Sequence, residues 1–222
     1  MRKFVPAYEG NLRKHALSVP RCISECSGIR VFGRRIKSLV FSTDVAIIKN
    51  INADAIIAVY PFTPQPAITQ AIIGVSEVPV FCGVGGGLTN GVRSASMAAY
   101  VEHQGAYGVV CNSKIGVETI HAIKDAVEIP VVYTVISENT DIQPYLTAGV
   151  DIINVSGAAR TPEIVGALRQ RYPELPIIAT GGPKDETIRK TIAAGANAIT
   201  YTPPDNGVLL AEIMHAHRER YR

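Results

Sequence analysis

Two carboxylates, an amine and an amide stand at the ends of apolar runs in this sequence, where side chains can move protons or meet a developing negative charge. Glu138 lies in Ser137-Glu-Asn-Thr-Asp141, directly after the run Pro130–Ile136. It has no capping duty of its own, because Asn139, Thr140 and Asp141 can cap the next helix. A carboxyl held beside apolar surface has its pKa raised and can act as a general base. Asp44 ends a second run, in Ser42-Thr-Asp44, and reads either as a partner acid or, with Thr43, as a helix N-cap. Lys114, in Asn112-Ser-Lys114, reads as a desolvated amine able to form an imine or as a solvated loop charge. Asn154, within Asp151-Ile-Ile-Asn-Val-Ser-Gly157, is an enolate- or imine-stabilising amide or a satisfied core polar group. The expected catalytic set is therefore Glu138, Asp44, Lys114 and Asn154.

A second group is built from glycines and hydroxyls. The stretch Ile177-Ile-Ala-Thr-Gly-Gly182, followed by Pro-Lys-Asp-Glu-Thr-Ile and then Ala194-Gly-Ala-Asn-Ala-Ile199, resembles the seventh and eighth units of the phosphate-binding barrel superfamily. That group includes ribulose-phosphate-binding barrels, the tryptophan synthase α chain and N-acetylmannosamine-6-phosphate epimerases. The resemblance covers the last third of the chain, and the rest only as a general plan. It implies that Gly181 and Gly182 let backbone N–H groups approach a phosphate beside a helix N-terminus, with Thr180 at the same strand end. It also implies that Gly157 joins them from the sixth strand. The chain departs from the pattern after the eighth strand. Thr200-Tyr-Thr-Pro-Pro204 stands where a Gly-Ser or Gly-Thr pair is usual, and the two prolines remove two donors. The hydroxyls of Thr200 and Thr202 are expected to compensate.

Three further residues join the expected binding set. Gly85 sits in Gly83-Val-Gly-Gly-Gly87, a run whose four glycines in five residues imply close approach, positive φ or motion. It matches neither a Walker-type phosphate loop nor a dinucleotide fingerprint, since Leu88 replaces the last glycine. Arg93, at the start of the next helix, is either an anion ligand or a surface cation. Tyr60 is a polar group ending an apolar run. None of the five histidines lies at a strand end, and His215 and His217 are spaced i, i+2, which is not a metal-binding face. Neither a metal nor a cofactor is expected.

Convergence of these residues requires a particular scaffold. Eight apolar runs read as strands: Ser38–Ser42, Ala55–Tyr60, Val78–Gly83, Gly108–Asn112, Pro130–Ile136, Asp151–Ser156, Pro176–Thr180 and Ala198–Thr202. Helical patterns separate them: Val45–Asn50, Pro66–Val75, Gly91–Gln104, Gly116–Val127, Ile142–Ala148, Pro162–Tyr172, Asp185–Ala194 and Val208–Tyr221. Pro before three strands and Ala-Gly before two others mark where helices stop. Alternating strands and helices demand a parallel sheet, and eight such units close into a (β/α)8 TIM barrel with function at the C-terminal mouth. An open doubly wound sheet is the competitor. Ahead of the barrel, Ile29–Phe41 reads as a hairpin turning at Gly33-Arg34 and leading into the first strand. The expected organisation is one TIM-barrel domain over 1–222, with 1–35 as N-terminal extension and hairpin.

Composition limits the partners. The 222 residues are 47% hydrophobic and only 6% aromatic, without Trp, and carry a net charge of +3. Residues 1–37 hold +7 of that, leaving −4 for the remainder, so the basic segment reads as a solvated surface or as a contact for an anion or a subunit. With no interleaved aromatics, no nucleic-acid partner is expected. No apolar stretch approaches the roughly 18 residues of a membrane span, and Met1–Arg13 lacks the apolar core of a leader. Cys22 and Cys26 have no second metal-binding pair, and Cys82 and Cys111 read as reduced, packed thiols, which suits a cytoplasmic location. A homo-oligomer fits the extension and the barrel class. The leading expectation is an isomerase, epimerase or lyase acting on a small phosphorylated metabolite. The alternatives are a hydrolase working through a Glu138-activated water, a flavin- or nucleotide-binding barrel with the Gly-rich loop near the ring, and a non-catalytic metabolite-binding protein.

Overall fold

The computed structural model describes residues 4–8 and 17–220. Arg2, Lys3, Arg13 and Lys14 of the basic segment, and Tyr221 at the expected end of the last helix, lie outside those residues. A two-stranded hairpin, β1 (Ile29–Val31) and β2 (Arg34–Ile36), precedes eight strands: β3 (Ser38–Phe41), β4 (Ala55–Ala58), β5 (Val80–Gly85), β6 (Gly108–Cys111), β7 (Val131–Val135), β8 (Ile152–Val155), β9 (Ile177–Thr180) and β10 (Ala198–Tyr201). Between and after them run α1 (Val45–Asn50), α2 (Pro66–Val75), α3 (Val92–His103), α4 (Val117–Ala126), α5 (Gln143–Thr147), α6 (Thr161–Arg171), α7 (Asp185–Ala193) and α8 (Asn206–Arg220). Strand order is β10-β3-β4-β5-β6-β7-β8-β9, and β10 pairs in parallel with both β3 and β9, so the sheet closes on itself. The fold is a (β/α)8 TIM barrel. The open-sheet alternative is excluded by the β10–β3 register of Thr200 opposite Leu39.

Each strand sends alternate residues inward and outward. The outward set packs under the helices, as with Val40, Ile56, Cys82, Val109, Ile153 and Ile199. The inward set fills the bottom of the barrel with Leu39, Ala55, Ile57, Phe81, Val110, Val132, Ile152, Ile178 and Ala198. Val31 and Ile36 of the hairpin belong to this inner cluster, so the hairpin closes the N-terminal end. Its turn falls one residue earlier than expected, at Phe32-Gly33. Both have positive φ (45° and 80°), the signature of a two-residue type I′ connection.

One device recurs around this end. Asp54, Asp151 and Asn197 each stand immediately before a strand and accept the N–H of a residue entering the neighbouring strand. Asp54 Oδ2 takes the N–H groups of Lys37 and Ser38, each at 2.9 Å. Asp151 Oδ2 takes Val131 N–H at 2.8 Å, and Asn197 Oδ1 takes Ile177 N–H at 2.9 Å. Replacing Asp54 by alanine orphans two backbone donors next to buried Ser38. We expect a loss of about 2–3 kcal/mol in urea unfolding, and an unchanged midpoint would show that water replaces the carboxylate.

α8 differs from the other barrel helices in leaving Val208, Leu210, Ile213 and Met214 exposed. Instead, the 3-10 turn Arg21–Glu25 packs Cys22 and Ile23 into the outer core beside α7. Among the described residues no helix is long and apolar enough to cross a membrane.

Candidate active site

The strand ends and following loops enclose a cavity of about 650 Å³ at the C-terminal mouth. Its floor and walls come from all eight barrel strands or their loops. Seven of the residues expected from sequence line it: Tyr60, Gly85, Lys114, Asn154, Thr180, Thr200 and Thr202. Asn112, Thr134 and Ser156 line it as well. Thr134 was detectable only as an aliphatic hydroxyl next to Tyr133 in the otherwise apolar run Val131-Val-Tyr-Thr-Val135. Phe41, Phe62, Leu88 and Ile136 complete the rim; as apolar residues they gave no chemical signal.

The two expected acids are not on this wall. Asp44 caps α1, its Oδ1 accepting from the N–H groups of Ala46 (2.8 Å) and Ile47 (3.3 Å), so the capping reading holds. Glu138 forms an ion pair with Arg160, from the loop after β8. A bond from its own backbone N–H, together with the Arg160 guanidinium, holds its carboxyl below the usual carboxylate range. This corrects the raised pKa expected of a general base: the group is fixed as an anion by a cation 22 residues further on. Because the folded pKa is depressed, the pair stabilises the fold above the ordinary carboxylate range, and that contribution vanishes as pH falls through the lowered value. A Glu138→Gln variant should therefore lose less stability than the native chain on acidification. Parallel pH–stability curves for the two would contradict the pairing.

The glycine cradle also falls away from the cavity wall. Gly157 N–H donates to Thr161 Oγ1 (3.0 Å), and Gly181 N–H donates to the Thr200 carbonyl (3.2 Å). A Cβ at Gly181 would stand 2.7 Å from Ile199 and 2.8 Å from Ile188, so this glycine serves close strand–helix packing. Gly182 has φ +77°, and a Cβ there would stand 2.9 Å from Thr187 Oγ1. The helix ends that would attract a phosphate already face the chain's own carboxylates. Asp185 and Glu186 occupy the first turn of α7, and Asp205 Oδ1 accepts the N–H of Val208 in α8. Arg93 is exposed on the first turn of α3, off the cavity wall. The loop expected after the third barrel strand is partly strand: β5 runs through Gly85 with a bulge between Gly83 and Gly85. Gly86 (φ +95°) is required there because any Cβ would strike the Asn112 backbone at 2.7 Å.

Lys114 is the one charged residue among those lining the cavity, and its loop is held from several sides. Tyr133 Oη donates to the Ser113 carbonyl (3.2 Å) and Tyr145 Oη to the Ile115 carbonyl (3.1 Å), so the residues on both sides of Lys114 are anchored. The two rings stack with centroids 4.0 Å apart. Burial, then the neighbouring Tyr145, pushes the Tyr133 phenol up, so it remains a protonated donor. Asn112 N–H donates to the Gly85 carbonyl at 2.9 Å, tying the loop to β5. Two buried polar atoms of other lining residues have no partner, Asn154 Oδ1 and Thr200 Oγ1. Asn154 Nδ2 donates to Thr134 Oγ1 at 3.2 Å, which fixes the amide across β7 and β8. The four described cysteines are free and buried. Desolvation pushes the Cys82 and Cys111 thiols up to about 12, so neither supplies a thiolate at neutral pH. The wall thus offers an ammonium, two amides and several hydroxyls, an arrangement suited to an anion and to oxygen atoms that gain charge.

No protein-family model and no curated protein matches the sequence. Solved structures do match. A 2,3-dimethylmalate lyase, described as a PEP mutase/isocitrate lyase superfamily member, aligns with a TM-score of 0.63 and 13% identity, over 90% of this chain and 84% of its own. A phosphonopyruvate hydrolase in complex with oxalate and Mg++ aligns with a TM-score of 0.61 and 16% identity, over 83% and 80%. A phosphoenolpyruvate phosphomutase from Streptomyces platensis subsp. rosaceus gives 0.61 and 15%, over 82% and 80%. At these identities the likeness is one of fold. These neighbours are not the ribulose-phosphate-binding barrels that the last third of the sequence resembles. The cavity wall also does not fit a hard divalent cation. It presents no carboxylate, and among the described residues no three His, Cys, Asp or Glu side chains come together.

Proposed function

We propose that this protein is an enzyme, a lyase or isomerase whose substrate is a small metabolite bearing a carboxylate or phosphate, bound at the C-terminal mouth with its acid group on Lys114. The observation that carries this reading is the position of Lys114: a lone cation on the wall of a 650 Å³ cavity, its loop fixed by Tyr133 and Tyr145. Asn154 Oδ1 accepts from a hydroxyl beside the acid, and Thr200 Oγ1 donates to an oxygen there. The ammonium stabilises negative charge as it grows on an enolate oxygen: the electron pair of a C–H bond at the adjacent carbon passes toward that oxygen while the proton goes to water at the open mouth, since no carboxylate or imidazole lines the wall to take it. Thr180, Thr202 and Ser156 complete the polar wall, and Tyr60 and Gly85 shape the opposite one. The chemistry of the neighbours supports this class, since their names are those of a lyase, a hydrolase and a mutase of small acids. In this reading residues 1–222 form one domain, with 1–35 as an extension ahead of the barrel, and the exposed apolar residues of α8 favour a homo-oligomer.

The absence of a carboxylate or imidazole from the lining favours, as a second reading, a metabolite-binding protein without turnover. Incubating the protein in D2O with short 2-oxo and 2-hydroxy acids and with their phosphate esters separates the two. Proton NMR reports exchange or cleavage at the carbon next to the acid. Exchange that disappears in Lys114→Met supports the enzyme. Tight binding without exchange by any acid or ester supports the binding protein. Turnover confined to the esters, and undiminished by Lys114→Met, would return the anion to the loops after β9 and β10.

A further inference from the structure

The cavity wall is divided by strand position. β3, β4, β5 and their loops contribute Phe41, Ile57, Val59, Pro61, Phe62, Pro64 and Leu88, with Gly83, Gly85 and Gly87 adding no side chain at all. β6 through β10 contribute Lys114, Thr134, Asn154, Ser156, Thr180 and Thr200, with Asn112 and Thr202 beside them and only Val110 and Ile136 apolar. Since strand order follows chain order around the ring, these are two continuous arcs facing each other, one apolar and one polar. The apolar arc is exposed to a degree that a solvent-facing surface does not require: Phe62 is 67% and Leu88 83% accessible. It is also built in advance. Pro61, Pro64 and Pro66 stiffen the loop that carries Phe62, and Gln65 N–H donates to Tyr60 Oη at 2.8 Å, closing that loop on itself. On the other side, Thr200 is 4% accessible and its Oγ1, like Asn154 Oδ1, is buried without a partner. Asn154 Oδ1 can only accept and calls for an O–H or N–H on the occupant, whereas Thr200 Oγ1 can also donate to an oxygen.

We infer that the substrate is amphipathic: an acid head with an adjacent hydroxyl lies against Lys114, Asn154 and Thr200, and an apolar arm crosses the mouth to Phe41, Phe62 and Leu88. This deepens the reading above and rests on it. The cavity volume fits, because sites of about 300–1,000 Å³ hold drug-sized ligands, and a three-carbon acid alone leaves the apolar arc bare. The arm is a hydrocarbon chain or an aryl group, since neither charge nor a hydrogen-bonding side chain faces it apart from Tyr60 and Thr89.

Calorimetric titration of the full chain with lactate, 2-hydroxyhexanoate and 3-phenyllactate tests the inference. Affinity should tighten along the series, by about 30-fold from lactate to 3-phenyllactate, the gain from burying one large apolar side group. A Phe62→Ser/Leu88→Ser double variant changes two loop residues and should reduce that ratio to a few-fold. A Val92→Ser variant, at an exposed site off the cavity wall, should leave the ratio intact. Lys114→Met should weaken all three acids by a common factor, which reports on the head and not on the arm. A flat series that still responds to Lys114→Met overturns the arm and spares the proposed function. Tightening that survives the double variant overturns the arm as placed. If none of the acids binds, the amphipathic acid falls, and the proposed function then stands or falls with the phosphate esters.

Discussion

Lys114→Met is expected to reduce affinity for the carboxylate head, and kcat/KM where turnover is found, by about 10- to 100-fold, the range for losing a hydrogen bond to a charged partner. Methionine keeps the unbranched stem and removes only the ammonium. The loss should shrink at high salt, because the head group lies at an open mouth where ions screen it. If Lys114 acts through its charge in the transition state, kcat falls with kcat/KM. If it only anchors the ground state, KM rises alone. Borohydride added during turnover separates a third possibility, since a stable mass increase at Lys114 would mark an imine. Tyr133→Phe provides the internal check. It deletes the phenol that donates to the Ser113 carbonyl and leaves the ring stacked on Tyr145. The loop loosens while the charge stays, so a loss of a few-fold is expected, absent in the Lys114→Met background. Native affinity in Lys114→Met would place the anion elsewhere and remove the basis for the proposed function.

Phe81→Ala is expected to have the largest effect on stability, about 3–5 kcal/mol. The ring is 1% accessible and fills the bottom of the barrel beneath the cavity. For a chain of this length that corresponds to a fall in Tm of roughly 10 °C. Gly108 faces Phe81 across the β5–β6 pair and lacks a side chain for a specific reason. A Cβ there would lie 2.5 Å from Phe81 Cδ1 and 2.7 Å from Cε1, too close for either to remain. Gly108→Ala alone should therefore cost about 1–3 kcal/mol by overpacking. In the Phe81→Ala background the methyl enters the vacated space, and its cost should fall close to zero, leaving only the 3.1 Å approach to the Pro130 carbonyl. Chemical unfolding of the four species closes this cycle. Additive losses would show that Gly108 is needed for its backbone and not for the space it leaves.

The elements themselves were legible in the sequence, and for local reasons. A strand such as Ile177–Thr180 or a helix such as Pro66–Val75 is set by the period of its apolar residues and by the Pro or Gly at its ends, all within a few positions of one another. Eight repeats of that pattern imply closure, and the β10–β3 pairing carries it out. The convergence of Lys114, Asn154, Thr180 and Thr200 on one mouth was legible too, because a parallel barrel sends every strand end to the same rim.

What each residue meets at the rim was decided only by the tertiary structure. Glu138 looked like a free base until Arg160 came beside it. Gly181 looked like a phosphate ligand until its N–H met the Thr200 carbonyl of the next strand and Ile188 and Ile199 took the space a Cβ would need. The opposition of an apolar arc to a polar one exists only once β3 to β5 face β6 to β10 around a closed ring. Hydrophobic period and chain stiffness act between near neighbours and are written in the residue order. Hydrogen-bond partnership and charge pairing act through space, between residues that the order keeps far apart.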